Sequence, residues 1–294
     1  MMKKFKSAWL KICLVCLLLG VVFIGAGFCM GAGKYMNSKY QSSGQGDEKG
    51  EITFKENYTD IKNLDISIAF TELEIKEGEE FSVSGIGIDP KKIELKNDDG
   101  TLEINNKSRN FLNNFGIHWG NGLNIGFSDQ SNTKLIVTVP KGTHFNHVSL
   151  EVGAGTLVVS ELDCDNLEVS VGAGEGTMEN ISVTEDADME VGAGTLNLKN
   201  LTANELELEA GMGKIAMEGI VGKSCAADCG MGEIVLNLKG SIEEYTYSVE
   251  CGMGDVKIND DDYSGFGTEK EKGNGEKTLD LECGMGSIKV QIQP

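Results

Sequence analysis

The chain has 294 residues, 40% of them hydrophobic, with 39 glycines, three prolines and a formal net charge of −20 at pH 7. This composition fits an ordered, turn-rich fold rather than a disordered chain. So acidic a protein repels phosphate backbones and anionic lipid heads, which argues against nucleic-acid binding and favours cationic partners.

Residues 1–11 carry Lys3, Lys4, Lys6 and Lys11. The run ICLVCLLLGVVFIGAGFCMGAG, residues 12–33, then holds no charged side chain. At about 1.5 Å rise per residue it is long enough to cross a hydrocarbon core of roughly 30 Å, so residues 12–33 are expected to be a transmembrane anchor in contact with the lipid bilayer. A cleaved secretory signal is the competing reading, but its apolar region is usually only about 7–15 residues long. The lysines ahead of the span keep the N-terminus cytoplasmic and place everything after it outside the cell, as a single-pass protein of the cell membrane. Residues 34–50, polar and rich in glycine and serine, read as a flexible tether. With four of the 26 basic residues ahead of the span, 22 are left against 46 acidic ones beyond it.

Residues 51–294 are expected to form one extracytoplasmic all-β domain. In residues 51–140 the segments LDISIAFTELEI, FSVSGIGI, IELKNDDGTLEI and KLIVTVP alternate or run apolar between turn signals, as degenerate first rungs. Between them residues 110–132, rich in asparagine, glycine and aromatics, suggest either a binding loop or a cap over the end of a stack.

Residues 141–294 repeat. The first glycine of each G-x-G falls at Gly153, Gly172, Gly192, Gly211, Gly230, Gly252 and Gly284, in steps of 19, 20, 19, 19, 22 and 32 residues. The second falls at Gly155, Gly174, Gly194, Gly213, Gly232, Gly254 and Gly286. Positions five, three and one before the first glycine are apolar, the alternation of a strand. After the second glycine the apolar positions resume out of phase, at Leu157, Leu196, Ile215, Ile234, Val256 and Ile288. Such a jump marks a bend, and glycine tolerates unusual dihedrals there. The coil at Gly172 reads as carrying an "EG" inserted before Thr177 and Met178. Each coil of about 19–20 residues thus reads strand, glycine corner, strand and polar turn, stacked into a single parallel β-solenoid. The long last step, NDDDYSGFGTEKEKGNGEK, is expected to protrude as a polar loop.

The recurring CGMG at Cys229, Cys251 and Cys283 invites a soft-metal reading, Cu(I) on sulfur ligands. Packing explains it better: in place of Val-Gly-Ala, the residue before the glycine shrinks as the one after it grows, with Met212, Met231, Met253 and Met285 all pointing inward. Zinc is disfavoured because Cys225 and Cys229 would lie about 13 Å apart along a strand. Stacked rungs bring equivalent Cα atoms within disulfide range, and Cys229 with Cys251 is the best pair, but reduced, buried thiols are favoured over a bridge. A nonapeptide calcium roll needs a nine-residue period that is absent. No cofactor is expected, and NDDD is the one local candidate for a weak ion.

Two positions before the first glycine an outward column carries Glu151, Ser170, Glu190, Glu209, Asp228, Glu250 and Glu282, with a second at Glu168, Asp188, Glu207 and Asp280. The first is the candidate interaction ladder, facing cationic peptides, basic cell-wall material or a membrane-protein partner. Acidic edges also keep a solenoid soluble and discourage sheet aggregation.

The stretch LIVTVPKGTHFNHVSLEVGAGTLVV, followed by repeated LEV…VGAG…L units behind one apolar span, resembles the bacterial putative-adhesin family that includes LiaG-like surface proteins. The resemblance covers roughly residues 51–294 and implies an extracytoplasmic β-solenoid without catalytic residues. The expected role is a non-catalytic interaction scaffold, adhesin-like or accessory to envelope stress. A carbohydrate hydrolase using a carboxylate pair on a β-helix is the enzymatic alternative.

Overall fold

A computed structural model of the chain describes residues 52–106, 133–265 and 267–294, all within one compact unit, Gly50–Pro294. The expected anchor at 12–33, the tether at 34–50 and the loop at 110–132 lie outside the described residues. Among the described residues no helix is long and apolar enough to cross a membrane.

The unit is all-β, and its strands join into one continuous sheet wound as a solenoid. The predicted inward columns form the core: Val148, Leu167 and Leu279 in one, Leu150, Leu208 and Val249 in the next, Val152, Val171 and Cys229 beside the corner, all buried. Past the corner Leu157, Leu196, Ile215, Ile234, Val256 and Ile288 are fully enclosed. Alternation decides this, because a strand sends successive side chains to opposite faces and only one face is covered.

Each coil has a first wall before the corner and a second wall after it. A short third side replaces the expected polar turn, as in Leu162–Cys164 pairing with Ile181–Val183, with Leu162, Cys164, Ile181, Val183, Leu201 and Ala203 buried. Asn180 and Asn200, with φ of 57° and 55°, turn the chain into that side, a backbone region that asparagine tolerates. The Asn200 amide donates to Asn180 Oδ1 at 2.9 Å, tying one turn to the next. The "EG" of the Gly172 coil is no insertion: Gly176 pairs in register with both Leu157 and Leu196, and a Cβ there would meet the Leu196 side chain at 2.6 Å. A neighbour's leucine fills the missing volume.

The order of coils in space departs from their order in sequence at both ends. Lys277–Cys283 lies between Lys214–Cys229 and Tyr245–Cys251, pairing in parallel with both. Likewise Ser287–Gln293 lies between Glu233–Lys239 and Asp255–Ile258. The last coil of the chain is therefore tucked inside the stack, and the coil before it is outermost. At the other end Asn63–Ile68 lies between Thr101–Asn106 and Phe145–Val152. Antiparallel strands close the edges: Ser82–Ile86 on Lys134–Pro140, Ile93–Asp98 on Thr101–Asn106, and Thr268–Gly273 on Tyr245–Cys251. The expected protruding loop is thus largely a cap, as exposed sheet edges require. Aromatic side chains sit at these ends, with Tyr247 edge-on to Tyr263 at 5.9 Å between ring centres and Phe81 edge-on to Phe145 at 6.3 Å.

Candidate acidic interaction wall

The corners set how closely the coils stack. Peptide groups continue to pair through them: Met212 N donates to Gly192 O at 2.8 Å and Lys214 N to Gly194 O at 2.9 Å. The corner glycines do not occupy the left-handed region. They are needed because a Cβ would strike the backbone of the next coil, so close approach rather than unusual dihedrals explains them. At Gly213 an added Cβ would lie 2.5 Å from Gly194 O and 2.5 Å from Val191 Cγ1, against 3.1 Å from Gly192 O at Gly211. The second glycine of each pair is the tighter one throughout.

This stacking aligns the ladder. In spatial order it runs Ser67, Glu151, Ser170, Glu190, Glu209, Asp228, Glu282 and Glu250, each paired in register with the next. All six predicted carboxylates are exposed and share one face, with Glu282 and Glu250 exchanged relative to the sequence order. The second column runs Glu103, Asp65, Ser149, Glu168, Asp188, Glu207, Ala226 and Asp280. Sequence reading missed Asp65 and Glu103 because no G-x-G follows them to mark the register. A shallow depression of about 380 Å³ lies between the columns, lined by Glu151, Glu168, Asp188, Glu190, Glu207 and Glu209 among others.

Neighbouring strands are about 4.8 Å apart, so each pair of stacked carboxylates repels by about 0.8 kcal/mol even in water, before salt screening. Relief is sparse. Ser67 donates to Glu151 at 2.7 Å, but among the described residues no ion pair involves Glu151, Glu190, Glu209, Asp228 or Glu250. The second wall is built differently. There Lys199 pairs with Glu179, and Lys214 and Lys289 both pair with Glu233, each at 2.9 Å, while Lys134 meets Glu74 at 2.8 Å. The second wall pairs its acids with lysines, whereas on the first wall the pairs among the described residues lie away from this run, as at Lys96 with Glu103 at 4.0 Å and Lys223 with Glu205.

Partial burial, then Glu207, Glu168 and Asp186, push the Asp188 carboxyl above its ordinary range. Burial followed by Glu190, Asp228 and Glu207 does the same at Glu209, and burial with Glu207 at Asp228. Across the molecule, hydrogen bonds from Lys214 and Lys289 hold Glu233 below its ordinary value. A raised carboxylate favours the protonated form in the fold, so its ionisation costs stability at neutral pH, and that cost fades as pH falls through the raised value. A lowered carboxylate contributes stability above its unfolded pKa and loses it as pH falls through the folded one. Thermal stability is therefore expected to rise as pH falls from neutral through the raised carboxyls of the first wall and to drop again once the lowered carboxylates such as Glu233 become protonated. A steady decline from pH 7 downward in a melting series would contradict the repulsive wall.

Among the described residues no three His, Cys, Asp or Glu side chains converge as a metal site. In the NDDD segment Asp261 pairs with Lys272 at 3.0 Å, and Asp262 accepts from Ser264 N at 2.9 Å. The five described cysteines are free and buried. Cys283 stands in register between Cys229 and Cys251, which puts the pair favoured by sequence order two strand spacings apart, about 9.6 Å and beyond disulfide reach. Burial pushes the Cys225 and Cys283 thiols up to about 12, which leaves them inert. The methionines overturn a second expectation. Met212, Met231, Met253 and Met285 are 60%, 44%, 63% and 46% exposed, so the residue between the corner glycines points out, not in.

A family model described as Toastrack DUF4097 matches residues 61–291. The chain belongs to that family. No curated protein matches it. Among solved structures, a "putative adhesin" from Bacteroides fragilis is 14% identical, with 82% of this chain and 97% of that one covered and a TM-score of 0.40. A "putative adhesin" from Parabacteroides distasonis is 12% identical, covering 82% and 98%, with a TM-score of 0.42. A "putative lipid binding protein" from the same species is 15% identical, covering 83% and 98%, with a TM-score of 0.41. The Toastrack match over residues 61–291 covers most of the stretch, roughly 51–294, on which the family resemblance was expected.

Proposed function

We propose that this Toastrack protein is a non-catalytic scaffold, anchored in the cell membrane through residues 12–33, whose acidic wall takes up cationic partners outside the cell. The observation that carries the reading is the contrast between the walls: Glu190, Glu209 and Asp228 stand in an unbroken run of carboxylates and, like Glu250, make no ion pair among the described residues, while lysines offset the acids of the opposite wall. A solenoid kept soluble by charge needs no such segregation. A uniform field along one face attracts and steers partners of opposite sign, basic peptides or basic envelope components among them. An adhesin-like or LiaG-like accessory role belongs to this same reading. The carboxylates recur coil after coil, whereas glycan cleavage needs one singular pair, so binding is favoured over hydrolysis.

Full-length protein in detergent is expected to bind an oligolysine peptide at low salt and to release it as salt rises. Changing Glu190, Glu209, Glu250 and Glu282 together to glutamine is expected to weaken that binding at least about tenfold and to flatten its salt dependence. Binding that survives these changes intact would sink the proposal.

A further inference from the structure

The residue between the two corner glycines changes along the stack. In spatial order it is Ala154, Ala173, Ala193, Met212, Met231, Met285 and Met253. The order follows from the corner hydrogen bonds: Met212 N donates to Gly192 O at 2.8 Å, and at 2.7 Å Met231 N donates to Gly211 O, Met285 N to Gly230 O and Met253 N to Gly284 O. Four methionines therefore stand one strand spacing apart, about 4.8 Å, in an unbroken ridge. They are four of the six large hydrophobic side chains that the described residues expose. Met178, Met189 and Met217, by contrast, are buried in the core.

We propose that the ridge Met212, Met231, Met285 and Met253 is a binding site for a soft monovalent cation, Cu(I) or its analogue Ag(I), held by thioethers of three consecutive coils. Glycine on either side of each methionine leaves its sulfur unshielded, with the methionines of adjacent coils as the nearest ridge neighbours. The thioether is a soft donor on an unbranched, three-torsion side chain, so sulfurs rooted about 4.8 Å apart can converge on one ion. Unlike a thiolate, it needs no deprotonation to coordinate. The cysteines of the same corners point into the core with raised thiol pKa at Cys229 and Cys283 and are not available as ligands. Three residues before each methionine stands a ladder carboxylate, Glu209, Asp228, Glu282 or Glu250, and their field draws cations toward the ridge. An ordinary apolar contact would accept any apolar residue. Here the position after the second glycine varies freely, as Lys214, Glu233, Ser287 and Asp255, while methionine recurs unchanged.

The test is titration of the full-length protein in detergent with Ag(I), which is redox-inert, and with Cu(I) against a competing chelator. One ion is expected to bind, with an all-sulfur shell in X-ray absorption. Changing all four methionines to leucine is expected to weaken it by more than about a hundredfold with circular dichroism unchanged, and changing Cys229, Cys251 and Cys283 to alanine to leave it intact. The coil order adds a sharper outcome. Met231 and Met285 belong to both runs of three consecutive methionines, Met212 and Met253 to one each. M285L is therefore expected to cost at least about tenfold and M253L only about twofold. Undiminished binding by the four-leucine variant, loss of binding by the cysteine variant, or a cost for M253L equal to that for M285L would each overturn the site.

Discussion

Alanine at Gly213 is expected to lower the stability of the solenoid by about 2–3 kcal/mol, while alanine at Gly211, two residues away in the same corner, changes it little. Both positions carry the same motif glycine, and neither has a positive φ, so the difference isolates the close approach of stacked backbones. An added Cβ at Gly213 faces a carbonyl oxygen and a valine methyl, both at 2.5 Å and well inside contact distance. Relief requires the coils to separate, which loosens the pairing on both walls. At Gly211 the nearest atom is 3.1 Å away, a shift of a few tenths of an ångström suffices, and the stiffer unfolded chain offsets part of the cost. In a unit of this size the first change corresponds to a fall in Tm of roughly 5–10 °C. Equal melting temperatures for the two variants would show that the corners tolerate a side chain and that the stacking explanation is wrong.

Deletion of Lys277–Pro294 is expected to do more than shorten the stack. These residues form the coil that separates Lys214–Cys229 and Glu233–Lys239 from Tyr245–Cys251 and Asp255–Ile258. Without it the outer coil loses its parallel partners among the described residues, and the coil beneath is left with open edges on both walls. Redocking would place Tyr247 where Leu279 packs beside Cys225, an over-packed arrangement. Amide protection across Tyr245–Ile258 is expected to fall by roughly 100-fold in hydrogen exchange of the chain that lacks Lys277–Pro294, relative to the intact chain. If coils stacked in sequence order, the same deletion would remove an end coil and leave Tyr245–Ile258 protected, so preserved protection there would refute the tucked arrangement.

The exchange of the last two coils was not legible from periodicity, because every G-x-G coil offers the same pairing edges to every other. A weaker signal was present. Tyr245, Tyr247 and Tyr263 cluster before the final coil, whereas Lys277–Gln293 holds no aromatic residue and alternates aliphatic with polar side chains on its strands. Large aromatic groups suit the closure of an open end, where Tyr247 and Tyr263 meet with their hydroxyls 2.9 Å apart, and leucine suits a middle layer. The methionines were misplaced for a similar reason. Alternation carries Met212 into the inward set before the bend, although Met212 lies on the bend itself, where the alternating rule no longer applies.

The acidic ladder was readable residue by residue, because carboxylates in strict alternation with buried apolar side chains can only face out. What alternation cannot supply is adjacency. The sequence by itself determined the solenoid class, the coil length, the inward columns and the outward carboxylates, since these follow from local period-two patterning and from glycine at each corner. Only the tertiary structure decided which coils touch: that Glu282 stands between Asp228 and Glu250, that Cys283 keeps Cys229 from Cys251, and that Met285 completes the exposed thioether ridge. Pairing between identical backbone edges carries no sequence address, so the order of coils is settled by which ends can be capped and closed.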